Sequence, residues 1–319
     1  MERKITVIGA GSVGSTITYT LSLLGLCSEI IMIDVNERKA MGEAMDIRQG
    51  TPFCPPVKIW AGTYEDAVDS DIIIITSGMP RKPGMSRIDL TQTNIDVLKD
   101  IAGKIAAVAP NAIYIIVSNP VDILTYAFCK ISGIPEQRII GSGTILDTAR
   151  LRSRLAQYAN ISEKSIHAYV LGEHGDSSFI PWSIAQVGGV NVLNYKGGFS
   201  YERIAGSEIH PEVITEEIEE YIKTSGAKII RRKGATYYAI AVSVCHIVKC
   251  LYSGANTVLT VSSMMHAEYG IDDVCLSIPF IVGQEGIVGN ALPQITEQEV
   301  AKLQHSADVL KGIIKEINF

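Results

Sequence analysis

Ile5-Thr6-Val7-Ile8-Gly9-Ala10-Gly11-Ser12-Val13-Gly14 is the stretch from which the rest of the chain is read. Four mostly β-branched residues form a strand buried on both faces, and G-x-G-x-x-G follows at once, leading into a helical pattern over 14–24. In this strand–turn–helix setting Gly9 permits the tight turn, Gly11 lets a pyrophosphate reach the backbone, and Gly14 lets helix and strand pack closely. The helix start, at Ser12 and Val13, presents free N–H groups and a positive dipole end to phosphates. Taken alone the motif is weak. A second strand, however, ends at Asp34, 20 residues past Gly14. An acid there accepts hydrogen bonds from the adenosine ribose hydroxyls and repels a 2′-phosphate. The pattern predicts NAD as cofactor rather than NADP; the competing reading is a glycine-rich turn beside an exposed aspartate.

Working outward, residues 5–8, 30–33, 72–76 and 113–117 are continuous apolar runs, which suit strands buried on both faces of a parallel sheet. Helical patterns such as 14–24 and 93–108 lie between them, and the alternation predicts an α/β doubly wound (Rossmann) sheet. Near residue 142 the rhythm changes. Helical patterns then cover about 144–158, 207–231 and 235–254, with strand candidates at 166–171, 273–282 and 286–289. Thr296-x-x-Glu299 is a capping box for a last helix to about residue 317. The reading divides the chain into a dinucleotide-binding domain, 1–143, and an α+β substrate domain, 144–319.

Composition excludes several classes. The 319 residues are 47% hydrophobic and 19% charged, enough apolar surface for a sizeable core and too much for a disordered chain. The net charge of −6 argues against a nucleic-acid partner. The one dense basic cluster, Arg231-Arg232-Lys233, reads as a helix end followed by Gly234. Six scattered cysteines form no Cys-x-x-Cys and no metal-ligand spacing, so they read as reduced, mostly buried thiols. No apolar run is long enough to cross a bilayer, and the N-terminal one is too short for a signal peptide. The expectation is a cytoplasmic, unprocessed protein with no membrane or metal partner.

Two further stretches carry chemistry. Ser77-Gly78-Met79-Pro80-Arg81-Lys82-Pro83-Gly84-Met85-Ser86-Arg87 follows a strand end, where doubly wound sheets bind ligands. Its prolines and glycines predict no regular element. Its cations make it either a lid over an anionic substrate or a solvated loop. Asp147 and Arg150 share one helix face, and His174 sits between Gly172 and Gly175 at a strand end. A histidine tuned by a carboxylate serves as an acid–base, and an arginine clamps a carboxylate as a fork. Spacing alone does not bring the three together. Of the other histidines, His210 and His305 read as surface residues, and His246 and His266 read as helical.

These residues resemble the L-lactate/malate dehydrogenase family over essentially the whole chain. The resemblance is carried by 9–14, Asp34, 81–87, Val117-Ser118-Asn119-Pro120, Asp147-x-x-Arg150 and, most specifically, Gly172-Glu173-His174-Gly175-Asp176-Ser177. It implies a homotetramer or homodimer that passes a hydride between NADH and the keto carbon of a small 2-keto acid. His174 is then the proton donor, oriented by Asp147. Arg150 holds the substrate's C1 carboxylate, Arg87 polarises the carbonyl, and Asn119 bonds near the keto oxygen as well as lining the cofactor site.

Within the family the signals conflict. Lys233-Gly234-Ala235-Thr236-Tyr237-Tyr238 is lactate-type, with Thr236 at a substrate-pocket position, whereas Arg81 stands where lactate enzymes usually carry Gln and malate enzymes carry Arg. A guanidinium left unpaired against the methyl group of pyruvate costs on the order of several kcal/mol, and oxaloacetate would pair it. The expectation is therefore a preference for oxaloacetate and malate. Pyruvate and L-lactate, with activation by fructose 1,6-bisphosphate, are the alternative. For that effector, Arg152 and His167 match the positions that hold a sugar bisphosphate between subunits of bacterial lactate dehydrogenases; otherwise they read as a solvated Arg and a structural His. A non-catalytic NAD sensor and a dehydrogenase for branched substrates are rival readings. The intact acid–base set disfavours the first and Arg81 the second.

Overall fold

The isoleucine-rich runs form the middle of a parallel sheet in a computed structural model, which describes residues 3–79, 86–195 and 211–319. Strand β1 (Lys4–Ile8) leads through the glycine turn into α1 (Ser12–Leu24), then β2 (Glu29–Ile33), α2 (Glu37–Gln49), β3 (Lys58–Ala61) and β4 (Ile72–Ile75). Next come α3 (Arg87–Ile105), β5 (Ile113–Ile116), α4 (Val121–Ile131) and β6 (Ile139–Gly141). Strand β1 pairs in parallel with both β2 and β4, and the parallel ladder continues to β3 on one side and to β5 and β6 on the other. All four side chains of β4 and of β5 are buried, as strands covered on both faces require. This is a Rossmann sheet, and its strands end at the turns that build the site.

The second half begins with α5 (Ile145–Ala159). A small antiparallel sheet follows, made of β7 (Ile166–His167), β8 (Gln186–Val187) and β9 (Val190–Asn191). Then come α6 (Pro211–Lys233), α7 (Tyr238–Ser253), a long hairpin of β10 (Thr257–Glu268) and β11 (Ile271–Gly283), β12 (Gly286–Asn290), and α8 (Glu297–Ile314). Strand β10 runs antiparallel to β6, paired at Ser262–Gly141, so one nine-stranded sheet is ordered β12-β11-β10-β6-β5-β4-β1-β2-β3. The main core follows this sheet; a second cluster joins α5 and α6 to the small sheet.

Several sequence expectations change. Helix α3 starts at Arg87 rather than at 93, because Ser86 caps Asp89 N–H and Asp89 caps Ser86 N–H. The run 166–171 is a strand only at its first two residues, since β8 is two residues long and pairs no further. His266 lies on β10, not on a helix. The last helix ends at Ile314. Helix α6 does end at Lys233, and Gly234, at φ +86°, closes it by donating its N–H to Ile230. All six cysteines are free, four of them buried. Among the described residues no helix is long and apolar enough to cross a membrane.

Candidate active site

The cofactor cradle follows from three glycines. Gly9 adopts φ +106°, a conformation that disfavours side chains. A Cβ on Gly14 would lie 1.8 Å from the Gly9 carbonyl, so helix α1 reaches β1 this closely only through glycine. A Cβ on Gly11 would meet nothing within 4 Å: the turn opens onto free space there. No side chain caps the start of α1, which leaves the first-turn N–H groups at Ser12 and Val13 for an anion. Asp34 stands beside this turn, its Oδ2 accepting the Ala10 N–H at 2.7 Å and its Oδ1 the Asn36 N–H at 2.8 Å. An open glycine turn, an uncapped helix start and a fixed carboxylate at the end of β2 fit the pyrophosphate and adenosine ribose of NAD.

The acid–base cluster is assembled across the chain. Asp147, in the first turn of α5, is buried. Its Oδ2 lies 2.6 Å from His174 Nδ1, and its Oδ1 accepts from Arg150 Nη1 at 2.8 Å, so one carboxylate holds both partners. Burial acts to raise the Asp147 carboxyl, but His174 and Arg150 outweigh it and keep it below the usual carboxylate value. Burial acts likewise to lower His174, and Asp147 reverses this, so the imidazole holds its proton above the ordinary histidine value. With Nδ1 on Asp147, the ring keeps Nε2 to offer a substrate.

The loop carrying His174 is pinned from behind. The His174 backbone N–H donates to Asp122 Oδ2 at 2.7 Å. The Glu173 N–H donates to Ser306 Oγ on α8 at 2.8 Å, and Ser177 Oγ donates to the Glu173 carboxylate. A Cβ on Gly175 would meet the Glu173 side chain at 2.6 Å, and one on Gly172 (φ +95°) would meet Ser306 at 2.8 Å. Glycines frame the histidine because the loop folds back on itself against a helix.

A cavity of about 350 Å³ gathers these groups. Asp147, Arg150 and His174 line it, as do Asn119, Thr236 and Val13, so the catalytic, substrate and cofactor candidates share one space. The Asn119 carbonyl is fixed by the Asn94 amide at 2.8 Å. Arg81 lies outside the described residues, as does the side chain of Arg87, whose backbone opens α3. Arg152 lies elsewhere: its Nε donates to the Ala168 carbonyl, its guanidinium sits 5.2 Å from the Tyr169 ring, and it lines a separate cavity with Lys164 and His246. His167 is exposed on β7, next to the carbonyl that Arg152 holds. Among the described residues no group of three or more His, Cys, Asp or Glu side chains is placed to hold a metal.

Sequence reasoning missed the α6 wall of the cavity, Ile222, Lys223, Gly226, Ala227 and Ile230, because nothing in a helical pattern tells which turn faces a site. It also missed Asp122, although that residue stands two positions past the Asn119-Pro120 motif at the end of a buried strand.

Comparison with known proteins gives a consistent picture. The lactate/malate dehydrogenase NAD-binding domain matches residues 3–141, and the lactate/malate dehydrogenase alpha/beta C-terminal domain matches 144–318. An L-lactate dehydrogenase of a Thermoanaerobacter species is 44% identical over 315 residues, covering 99% of both chains. One from Acetivibrio thermocellus is 44% identical over 319 residues, covering 99% of this chain and 98% of its own. The crystal structure of a minor L-lactate dehydrogenase from Enterococcus mundtii superposes with a TM-score of 0.92 at 35% identity, covering 100% of this chain and 99% of that one.

Proposed function

Because the chain belongs to the lactate/malate dehydrogenase family, we propose that it reduces pyruvate to L-lactate with NADH, and runs the reverse reaction with NAD. The observation that carries the reading is the buried carboxylate of Asp147, which holds both His174 at 2.6 Å and Arg150 at 2.8 Å in one cavity. NADH, held by the glycine turn and Asp34, supplies the hydride. His174 gives its Nε2 proton to the keto oxygen as that oxygen gains charge. Asp147 fixes the ring and stabilises its charged form. Arg150 turns its remaining N–H groups to the C1 carboxylate, which fixes the keto carbon relative to His174. Arg87 polarises the carbonyl, and Asn119 and Thr236 line the pocket around it.

Support for pyruvate over oxaloacetate comes from the relatives named L-lactate dehydrogenase, against the oxaloacetate preference expected from Arg81. Arg81 keeps the second reading in view. The test is kcat/KM with NADH for both acids, in the unmutated protein and in Arg81→Gln. A larger value for pyruvate supports the proposal. An oxaloacetate preference that Arg81→Gln reverses would transfer the support to malate.

The same reading includes self-association and an anion site. Tyr19, Leu23, Leu24, Met41 and Met45 expose apolar surface on α1 and α2, in keeping with a homodimer or homotetramer. Arg152 and His167 lie on adjoining segments, in keeping with a sugar bisphosphate bound between subunits. Fructose 1,6-bisphosphate should lower KM for pyruvate and raise the sedimentation coefficient; no change in either removes this part.

A further inference from the structure

We propose that Asp122 is a second positioning carboxylate for His174, one that holds the histidine's main chain from behind and sets a buried charge beside it. The proposal rests on the dehydrogenase reading only in that it assigns His174 as the proton donor.

Asp122 sits in the first turn of α4, where a negative charge meets the positive end of the helix dipole. It is 3% exposed. Its Oδ2 accepts the His174 N–H at 2.7 Å, while Oδ1 makes no hydrogen bond, and neither does the buried Ser262 hydroxyl of β10. A hydrogen bond from a backbone N–H needs only an amide oxygen, which asparagine would supply. Burying a charge with one unpartnered oxygen is costly. The helix dipole offsets part of that cost, and the same charge acts on the His174 imidazole to favour its protonated form.

The surroundings permit that role. Burial pushes the Asp122 carboxyl up to about 6, with the His174 N–H and imidazole among the groups that hold it back, so the carboxylate carries its charge above that value. Asp147 and Arg150 of α5 also face His174, the first favouring its proton and the second opposing it. Glu173 of the same loop acts on Asp122, and Asp176 of the loop and Lys223 of α6 line the cavity. Asp122 is thus one of two carboxylates that raise His174, and it stands outside the lining of the cavity.

Asp122→Asn and Asp122→Ser remove the charge and keep a hydrogen-bonding oxygen. Two readouts are taken. The first is the pH midpoint for modification of His174 by diethyl pyrocarbonate, located by peptide mass, which requires neutral imidazole and no turnover. The second is the alkaline limb of kcat/KM for pyruvate reduction, which requires the protonated form. Both should move to lower pH, by about half a unit to one unit. A folded variant whose midpoint stays in place overturns the proposal. Failure of both variants to fold also overturns it, since Asp122 would then serve the fold. If the unmutated protein reduces no 2-keto acid but the midpoint still shifts, the substrate reading fails and the positioning role stands.

Discussion

Replacing Asp147 by Asn asks the most of the site, because one carboxylate serves two partners. The substitution keeps size and an accepting oxygen but removes the charge 2.6 Å from His174 Nδ1. Unit charges about 4 Å apart at an effective dielectric near 20 interact by about 4 kcal/mol. Losing most of that when the imidazole must be protonated lowers kcat/KM for pyruvate by about 10²–10³-fold. The loss should fall on kcat. Arg150, released from its 2.8 Å pair with Asp147, is freer to bind the substrate carboxylate, so KM should hold or drop. His174 also loses the charge that raises it, so the alkaline limb moves to lower pH. Initial rates of NADH oxidation against pyruvate concentration and pH measure all three quantities. A variant within about threefold of the unmutated kcat/KM, with the limb in place, would refute the claim that Asp147 sets the state of His174.

Three other outcomes follow from the same geometry. Arg150→Lys keeps a charge but loses the planar fork, so KM for pyruvate should rise about 10–100-fold in steady-state rates, with kcat falling less. Gly14→Ala puts a methyl group against the Gly9 carbonyl, and the protein should lose NADH binding by fluorescence titration and melt several degrees lower. In thermal melts without ligand, the difference between unmutated protein and Asp147→Asn should be widest between about pH 4 and 6.5. His174, raised, contributes its stability below the ordinary histidine value and loses it as pH rises through its own. Asp147, lowered, contributes above the ordinary carboxylate value and loses it as pH falls through its own.

What was legible in the sequence was local or strongly periodic. The glycine turn, Asp34 and the isoleucine runs each declare themselves within about ten residues, and the i, i+3 pair Asp147–Arg150 needs only a helix. Strands β3 and β6 were not legible, being four and three residues long with no alternation to read. Strand β10 was hidden for another reason: Ser262 and Ser263 are buried beside its apolar residues, so polarity does not mark a face. In the site, His174 and Asp147 are 27 residues apart and meet only because α5 and the glycine-framed loop pack together. Asp122 meets His174 across 52 residues. Motif resemblance supplied the first contact in advance; the second needed coordinates.

The central claim is that the cluster of His174, Asp147 and Arg150, fed by NADH, reduces pyruvate to the L-hydroxy acid. The most direct measurement mixes purified protein, pyruvate and NADH and follows NADH loss together with the chirality of the product. The account predicts one L-lactate formed for each NADH consumed, with activity abolished in His174→Asn. Absence of NADH oxidation, formation of D-lactate, or full activity in the His174 variant would contradict it.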